Sequence, residues 1–145
     1  EVELIFVDAV VPPRAEAHHT SDAMSALLDA QTVEGTLRPW LEWWPDEVVD
    51  RLVPDADDRG QLEADMPRLP RSFFDVSVDV PAGWSLGSCA YLRLSPAYDD
   101  DHAEAASRGW PTASVGSTHL GVFTDAARVF AAAMTLDDQL NSAAR

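Results

Sequence analysis

Lysine does not occur in these 145 residues; all ten basic side chains are arginine, set against 25 acidic ones for a net charge of −15. A surface this negative repels phosphate backbones and anionic bilayers, so nucleic-acid binding and peripheral membrane binding are excluded. The acidity itself reads as solubility. Cysteine is almost missing too. Cys89 has no second thiol to pair with, and its place in the apolar run "CAYLRL" marks it as a small buried hydrophobe rather than a nucleophile. No apolar run approaches the roughly 20 residues of a membrane span. The opening "EVELIFVD" has neither a basic n-region nor a small-residue cleavage site, which leads us to expect a cytoplasmic protein. Metal-ligand spacing is also missing. His18 and His19 have Glu16 and Asp22 nearby but match no known ligand pattern, so neither metal nor cofactor is expected. His102 lies in a polar helical stretch and is expected to face solvent.

What is present is the composition of a globular chain, 46% hydrophobic and 24% charged, long enough to bury a core. Residues 2–8 form a β-rich run with little polar alternation, the pattern of a strand covered on both faces. Pro12 and Pro13 interrupt it. Ser21 or Thr20 then caps a helix through "DAMSALLDAQ", and Gly35 ends that segment. The next stretch holds Trp40, Trp43 and Trp44 and prolines at 39, 45, 54, 67 and 70, which cut it into short helices. Strand and helix alternate again afterwards, with strands expected at 88–94 and 112–115 and a final helix from about Thr124. The expected fold is α/β: about three parallel strands, with a helical excursion over residues 11–81 inserted between residues 1–10 and 82–145.

Two constellations carry chemistry. "GWSLG" at 83–87 matches the nucleophile pattern G-x-S-x-G, but that motif needs a strand entering and a helix leaving. Here Pro81 and Ala82 precede it and a strand follows, so Ser85 does not fit the role. The other constellation is distributed. The strand "CAYLRLS" runs into "PAYDDD", and the following strand runs into "STHLGVFTD". An acid after one strand and a histidine after the next lets a carboxylate orient an imidazole. His119 is the candidate base and Asp99 its leading partner, with Asp100 close behind. Capping of the helix that follows is the competing use of these aspartates. The three clustered tryptophans serve either as core of the helical insert or as a ligand platform.

Taken together, "LIFVDAVVPP", the tryptophan- and proline-rich insert, "CAYLRLSPAYDDD", "RGWP" and "THLGVFTD" resemble the carboxyl-terminal half of a capped α/β-hydrolase. The resemblance implies that residues 11–81 are a lid and that 1–10 with 82–145 are the hydrolase-like core. It implies that His119 is the general base, Asp99 its orienting acid with Asp8 as a second possible acid, and that Trp40, Trp43 and Trp44 line an acyl pocket. The first five strands, the oxyanion loop and the nucleophile elbow of that family have no counterpart in these residues, and a base without a nucleophile does not run acyl transfer. The expected function is therefore the lid-and-base half of an esterase- or thioesterase-like enzyme, completed by a separate chain. The alternatives are a noncatalytic binding or scaffold module and a serine-independent lyase or cyclase using His119. The expected partners are a complementary hydrolase half or a second copy, since "ELIFV" makes an apolar sheet edge, together with a small apolar acyl or ester ligand.

Overall fold

A computed structural model describes residues 3–13, 20–84 and 88–143. Strand β1 (Glu3–Val7) is followed by helix α1 (Asp22–Ala30), a hairpin of β2 (Thr32–Val33) and β3 (Thr36–Leu37), and helices α2 (Asp46–Leu52) and α3 (Ala56–Asp65). Then come β4 (Ser88–Arg93), α4 (Asp99–Ser107), β5 (Thr112–Ser114), a single turn α5 (Gly121–Thr124) and the long α6 (Ala126–Ala143). The chain divides into two compact units, one made of Glu1–Ala15 with Val80–Arg145, the other of Glu16–Asp79.

The first unit is an α/β layer structure. Its sheet has the order β1-β4-β5 with both pairings parallel, Phe6 opposite Tyr91 and Leu92 opposite Ala113. β4 is central, which explains its unbroken apolar sequence: alternate side chains leave on opposite faces and both faces are covered. Ala90 and Leu92, with Leu94 beyond the strand end, pack against Val129, Leu136 and Leu140 of α6; Ile5 and Val7 of β1 join them. Cys89 and Tyr91 face the other way, toward Ala105 of α4, Trp110 and Val11, with Phe6 and Trp84 alongside. Phe6 stacks on Trp110 at 5.5 Å, and Arg108 lies over both Trp84 and Trp110. Leu136 is fully buried, and truncating such a side chain to alanine costs about 2–5 kcal/mol.

The second unit departs from the purely helical reading of residues 11–81. Gly35 does not end a segment; it turns a hairpin. Glu34 and Gly35 both have positive φ, 50° and 77°, which is the geometry of a type I′ turn and matches the twist of paired strands. The short helices do form where proline and capping place them. Pro45 precedes α2, Ser21 accepts from the Met24 N–H to cap α1, and Asp55 accepts from the Asp57 and Asp58 N–H groups to cap α3. Arg71 pins the unit, donating to Asp29 at 2.7 Å, Asp75 at 2.6 Å and the Ser25 hydroxyl at 2.7 Å. In the first unit the final helix also differs from expectation: Gly121–Thr124 already forms a turn of helix ahead of α6. His102 is half-buried with its ring edge against Tyr91 rather than facing solvent.

Burial has a titratable consequence. Burial raises the Cys89 thiol above its ordinary range, a rise Arg108 partly offsets. Burial likewise raises the Tyr91 phenol, helped by the Asp101 charge, although its O–H donates to the Ala9 carbonyl at 2.8 Å. Tyr98, the only other tyrosine, is raised by burial and then by Asp8 and Asp101. A raised native value stabilises the fold fully below the unfolded value of about 10 and loses that contribution as pH climbs past it. Phenolate absorbance in native protein is therefore expected to stay low through that range and to rise together with loss of circular dichroism. Cys89 is expected to resist disulfide reagents until denaturant is added. Stoichiometric labelling of the folded chain would contradict the packing described.

Candidate functional site

The carboxyl ends of parallel strands collect chemistry because strand-exit loops converge there. Here β1 exits through Asp8, β4 through Leu94 and Ser95, and β5 through the loop that carries His119. Each exit is tied to its neighbour by continuation of the sheet ladder. The Asp8 N–H donates to the Leu92 carbonyl at 2.9 Å, Val115 N–H to Arg93 at 2.8 Å, and Ser117 N–H to Leu94 at 3.0 Å.

Asp8 is only 2% exposed and has a φ of 43°, a left-handed conformation that non-glycine residues adopt at a cost of about 1–2 kcal/mol. Its carboxylate offsets that cost with hydrogen bonds. Oδ1 accepts from the Leu94 N–H at 2.7 Å and the Ser95 N–H at 3.1 Å, while Oδ2 accepts from the Ser95 hydroxyl at 2.7 Å. His119 Nδ1 lies 3.4 Å from the same Oδ2. With the proton on Nδ1 directed at Asp8, Nε2 is the nitrogen that carries the lone pair. The imidazole side chain is 45% exposed. The Tyr98 ring stacks on the imidazole at 5.1 Å and 18° and fixes its plane. The arrangement is chemically a carboxylate–imidazole couple, an orienting acid with an accessible base.

The turn carrying His119 depends on a close approach. Gly121 is buried, its N–H donates to the Thr118 carbonyl at 2.8 Å, and a Cβ there would lie 2.5 Å from the Ser117 hydroxyl. The histidine loop is thus closed tightly against the end of β4.

The acid expected from sequence is not the one that meets the histidine. Asp99 starts α4 and pairs with Arg93, at the end of the same β4 strand that precedes it. Asp100 is exposed on that first turn. Asp101 serves the fold, accepting from the Val11 N–H at 2.7 Å to hold the β1 exit against α4. Asp8, the second candidate, is the residue at His119. Ser95 and Tyr98 were not singled out from sequence. The signal was available in "LSPAY": a serine ending the central strand stands beside the neighbouring strand's exit, and an aromatic three residues later returns over it.

The tryptophans separate. Trp40 and Trp43, on a 3₁₀ turn, line an apolar cavity of about 190 Å³ together with Leu37, Met66 and Phe74. Trp44 meets Trp40 edge to face but lines a different, polar groove with Glu42, Asp46 and Glu63. Ser85, His18 and His19 lie outside the described residues. Among the described residues no group of three or more His, Cys, Asp or Glu side chains is arranged to hold a metal ion, and no helix is long and apolar enough to cross a membrane.

The fold and site together define a mixed α/β chain with a three-stranded parallel sheet and an Asp–His couple at its carboxyl edge. No family model, curated protein or solved structure matches it.

Two substitutions at Asp8 separate its roles. Asp8→Ala leaves two buried N–H groups and one hydroxyl without an acceptor, at about 1–3 kcal/mol each, and is expected to unfold the chain at much lower denaturant. Asp8→Asn keeps Oδ1 for the backbone donors but turns an N–H₂ toward His119, which then protonates on Nε2 instead of Nδ1. Nitrogen-15 NMR of the imidazole reads this directly. An unchanged tautomer in Asp8→Asn would show that Asp8 does not orient the ring.

Proposed function

We propose that the Asp8–His119 couple is the general-base half of a hydrolase acting on a carboxylic ester or thioester in the cytoplasm. The observation that carries this reading is the buried, triply hydrogen-bonded Asp8 carboxylate facing Nδ1 of an imidazole whose side chain is 45% exposed. Asp8 in this reading holds the tautomer and stabilises the imidazolium that forms when Nε2 takes a proton. The proton comes from a nucleophile contributed by polypeptide outside the residues described here. What supports the reading is the parallel sheet with the couple at its carboxyl edge; in this proposal the chain is part of a capped α/β-hydrolase, the helical unit Glu16–Asp79 serves as the lid and the Trp40–Trp43 cavity receives the apolar acyl part.

Completion by a second polypeptide is part of the same proposal, either a complementary half or another copy of the chain. β1 pairs only with β4 among the described residues, leaving one of its edges open, and Leu4 on it is 40% exposed. Val122, Phe130 and Met134 repeat at four- or eight-residue intervals along α5 and α6 and are all exposed. Open edges and apolar stripes of this kind are normally covered. Sedimentation of the chain alone is expected to show association, and a cooperative, folded 15.8 kDa monomer at all concentrations would count against completion by a partner.

In the completed enzyme His119→Ala is expected to lower ester turnover by about 10³-fold or more, while Asp99→Asn, whose carboxylate serves Arg93, changes it by less than about threefold. Ester hydrolysis that survives His119→Ala within about threefold would dismiss the hydrolytic role and leave the chain as a binding or scaffold module.

A further inference from the structure

We infer that the helical unit binds a small monocarboxylate, its ring-sized apolar body in the Trp40–Trp43 cavity and its carboxylate on Arg38. The cavity has a volume of about 190 Å³, stands half open to solvent and is walled almost wholly by apolar surface. Its walls are held open rather than left loose. Leu37 donates its N–H to the Leu69 carbonyl at 2.9 Å, Trp40 N–H meets the Met66 sulfur at 3.0 Å, and Trp43 Nε1 donates to the Arg38 carbonyl at 2.9 Å. Three separate segments, 37–43, 66–69 and Phe74, thus form a wall that is built before any ligand arrives.

Size and lining set the ligand's body. An apolar cavity of about 150 Å³ is enough for a single benzene ring, so this one takes a ring with a short linker. Charge sets its head group. Arg38 lines the cavity and is exposed, and among the described residues it is one of three arginines, with Arg51 and Arg68, that form no ion pair, whereas Arg59, Arg71, Arg93, Arg108 and Arg128 each have an acidic partner. Glu42, Asp46 and Glu63 share the adjoining polar groove with Arg38 yet do not pair with it. Arg38 borders both the apolar cavity and the polar groove, and a planar guanidinium suits bidentate capture of a carboxylate. Those three acids oppose an anion, so the acid's advantage is expected to be moderate and to shrink with salt. Calling the ligand a reactant rests on the hydrolytic proposal, under which it is the acid released from the ester. The binding itself does not.

The test uses the whole chain and two probes of equal shape, 3-phenylpropanoate and 3-phenylpropan-1-ol, titrated by calorimetry at low salt. Assigned indole N–H signals locate the site. Saturable binding of both is expected, with the acid about tenfold tighter, a difference worth about 1.4 kcal/mol. Only the Trp40 and Trp43 indoles should shift strongly. Arg38→Gln should bring the acid down to the affinity of the alcohol and leave the alcohol unchanged. His119→Ala should alter neither affinity, which separates this result from the fate of the hydrolytic reading. Equal affinity for acid and alcohol, or an acid affinity that Arg38→Gln does not change, overturns the carboxylate assignment. Absence of saturable binding by either probe overturns the site.

Discussion

The hydrogen bonds of one buried carboxylate determine the upper edge of the sheet. Asp8 ends β1, yet all three of its closest donors belong to Leu94 and Ser95 at the end of β4. A parallel pair makes evenly spaced, slanted hydrogen bonds that simply stop where the strands diverge, leaving N–H groups that must find acceptors. The Asp8 side chain supplies them. It does so from a left-handed backbone conformation, because only that turn directs the carboxylate across the end of β4 instead of along β1. The strain and the hydrogen bonds are one device: neither would persist without the other.

The histidine depends on the same device. Its loop leaves β5, stays laddered to the end of β4 through Val115 and Ser117, and is drawn in where Gly121 approaches Ser117. Tyr98, on the turn between β4 and α4, stacks on the imidazole. Every group around His119 is therefore referred back to the exit of the central strand. An imidazole held this way loses little entropy on adopting a single orientation, which is the advantage of building on strand ends rather than on a long loop.

This explains what could and could not be read from sequence. Three parallel strands were legible because a central strand buried on both faces must be continuously apolar, and "CAYLRL" is. The His119 loop was legible from the strand before it and the helix after it. The acid was not. Sequence proximity favoured Asp99, but side chains one helical turn past a strand meet what lies beside that strand's own end. There Arg93, six residues earlier, takes Asp99 into an ion pair. Asp8 is 111 residues from His119, and only the β1-β4-β5 order makes their loops converge. The hairpin at Glu34-Gly35 went unseen because two-residue strands carry no periodicity, and its sole mark, a glycine after a polar residue, also ends helices. The tryptophan cluster misled through counting. Residues 40 and 43 share one face of a 3₁₀ turn with its three-residue period, whereas Trp44 follows the turn in extended backbone and faces elsewhere.

The two units also differ in what holds them, and that difference bears on function. The sheet unit buries Tyr91, Leu92 and Leu136 completely and resembles an ordinary domain core, in which each such side chain contributes about 1.5–3 kcal/mol. The helical unit fully buries little beyond Leu28 and Val53, and relies on caps, the Arg71 network and short backbone links between segments. Interactions of that kind are individually weak and exposed to solvent, so such a unit opens locally at lower free energy than the sheet does. Under the proposals above, a rigid edge that fixes a proton acceptor and a looser, cavity-bearing unit that admits an apolar molecule meet complementary requirements. Adding core to the second unit would stabilise it at the expense of the space around Trp40 and Trp43, which is the volume a ligand would occupy.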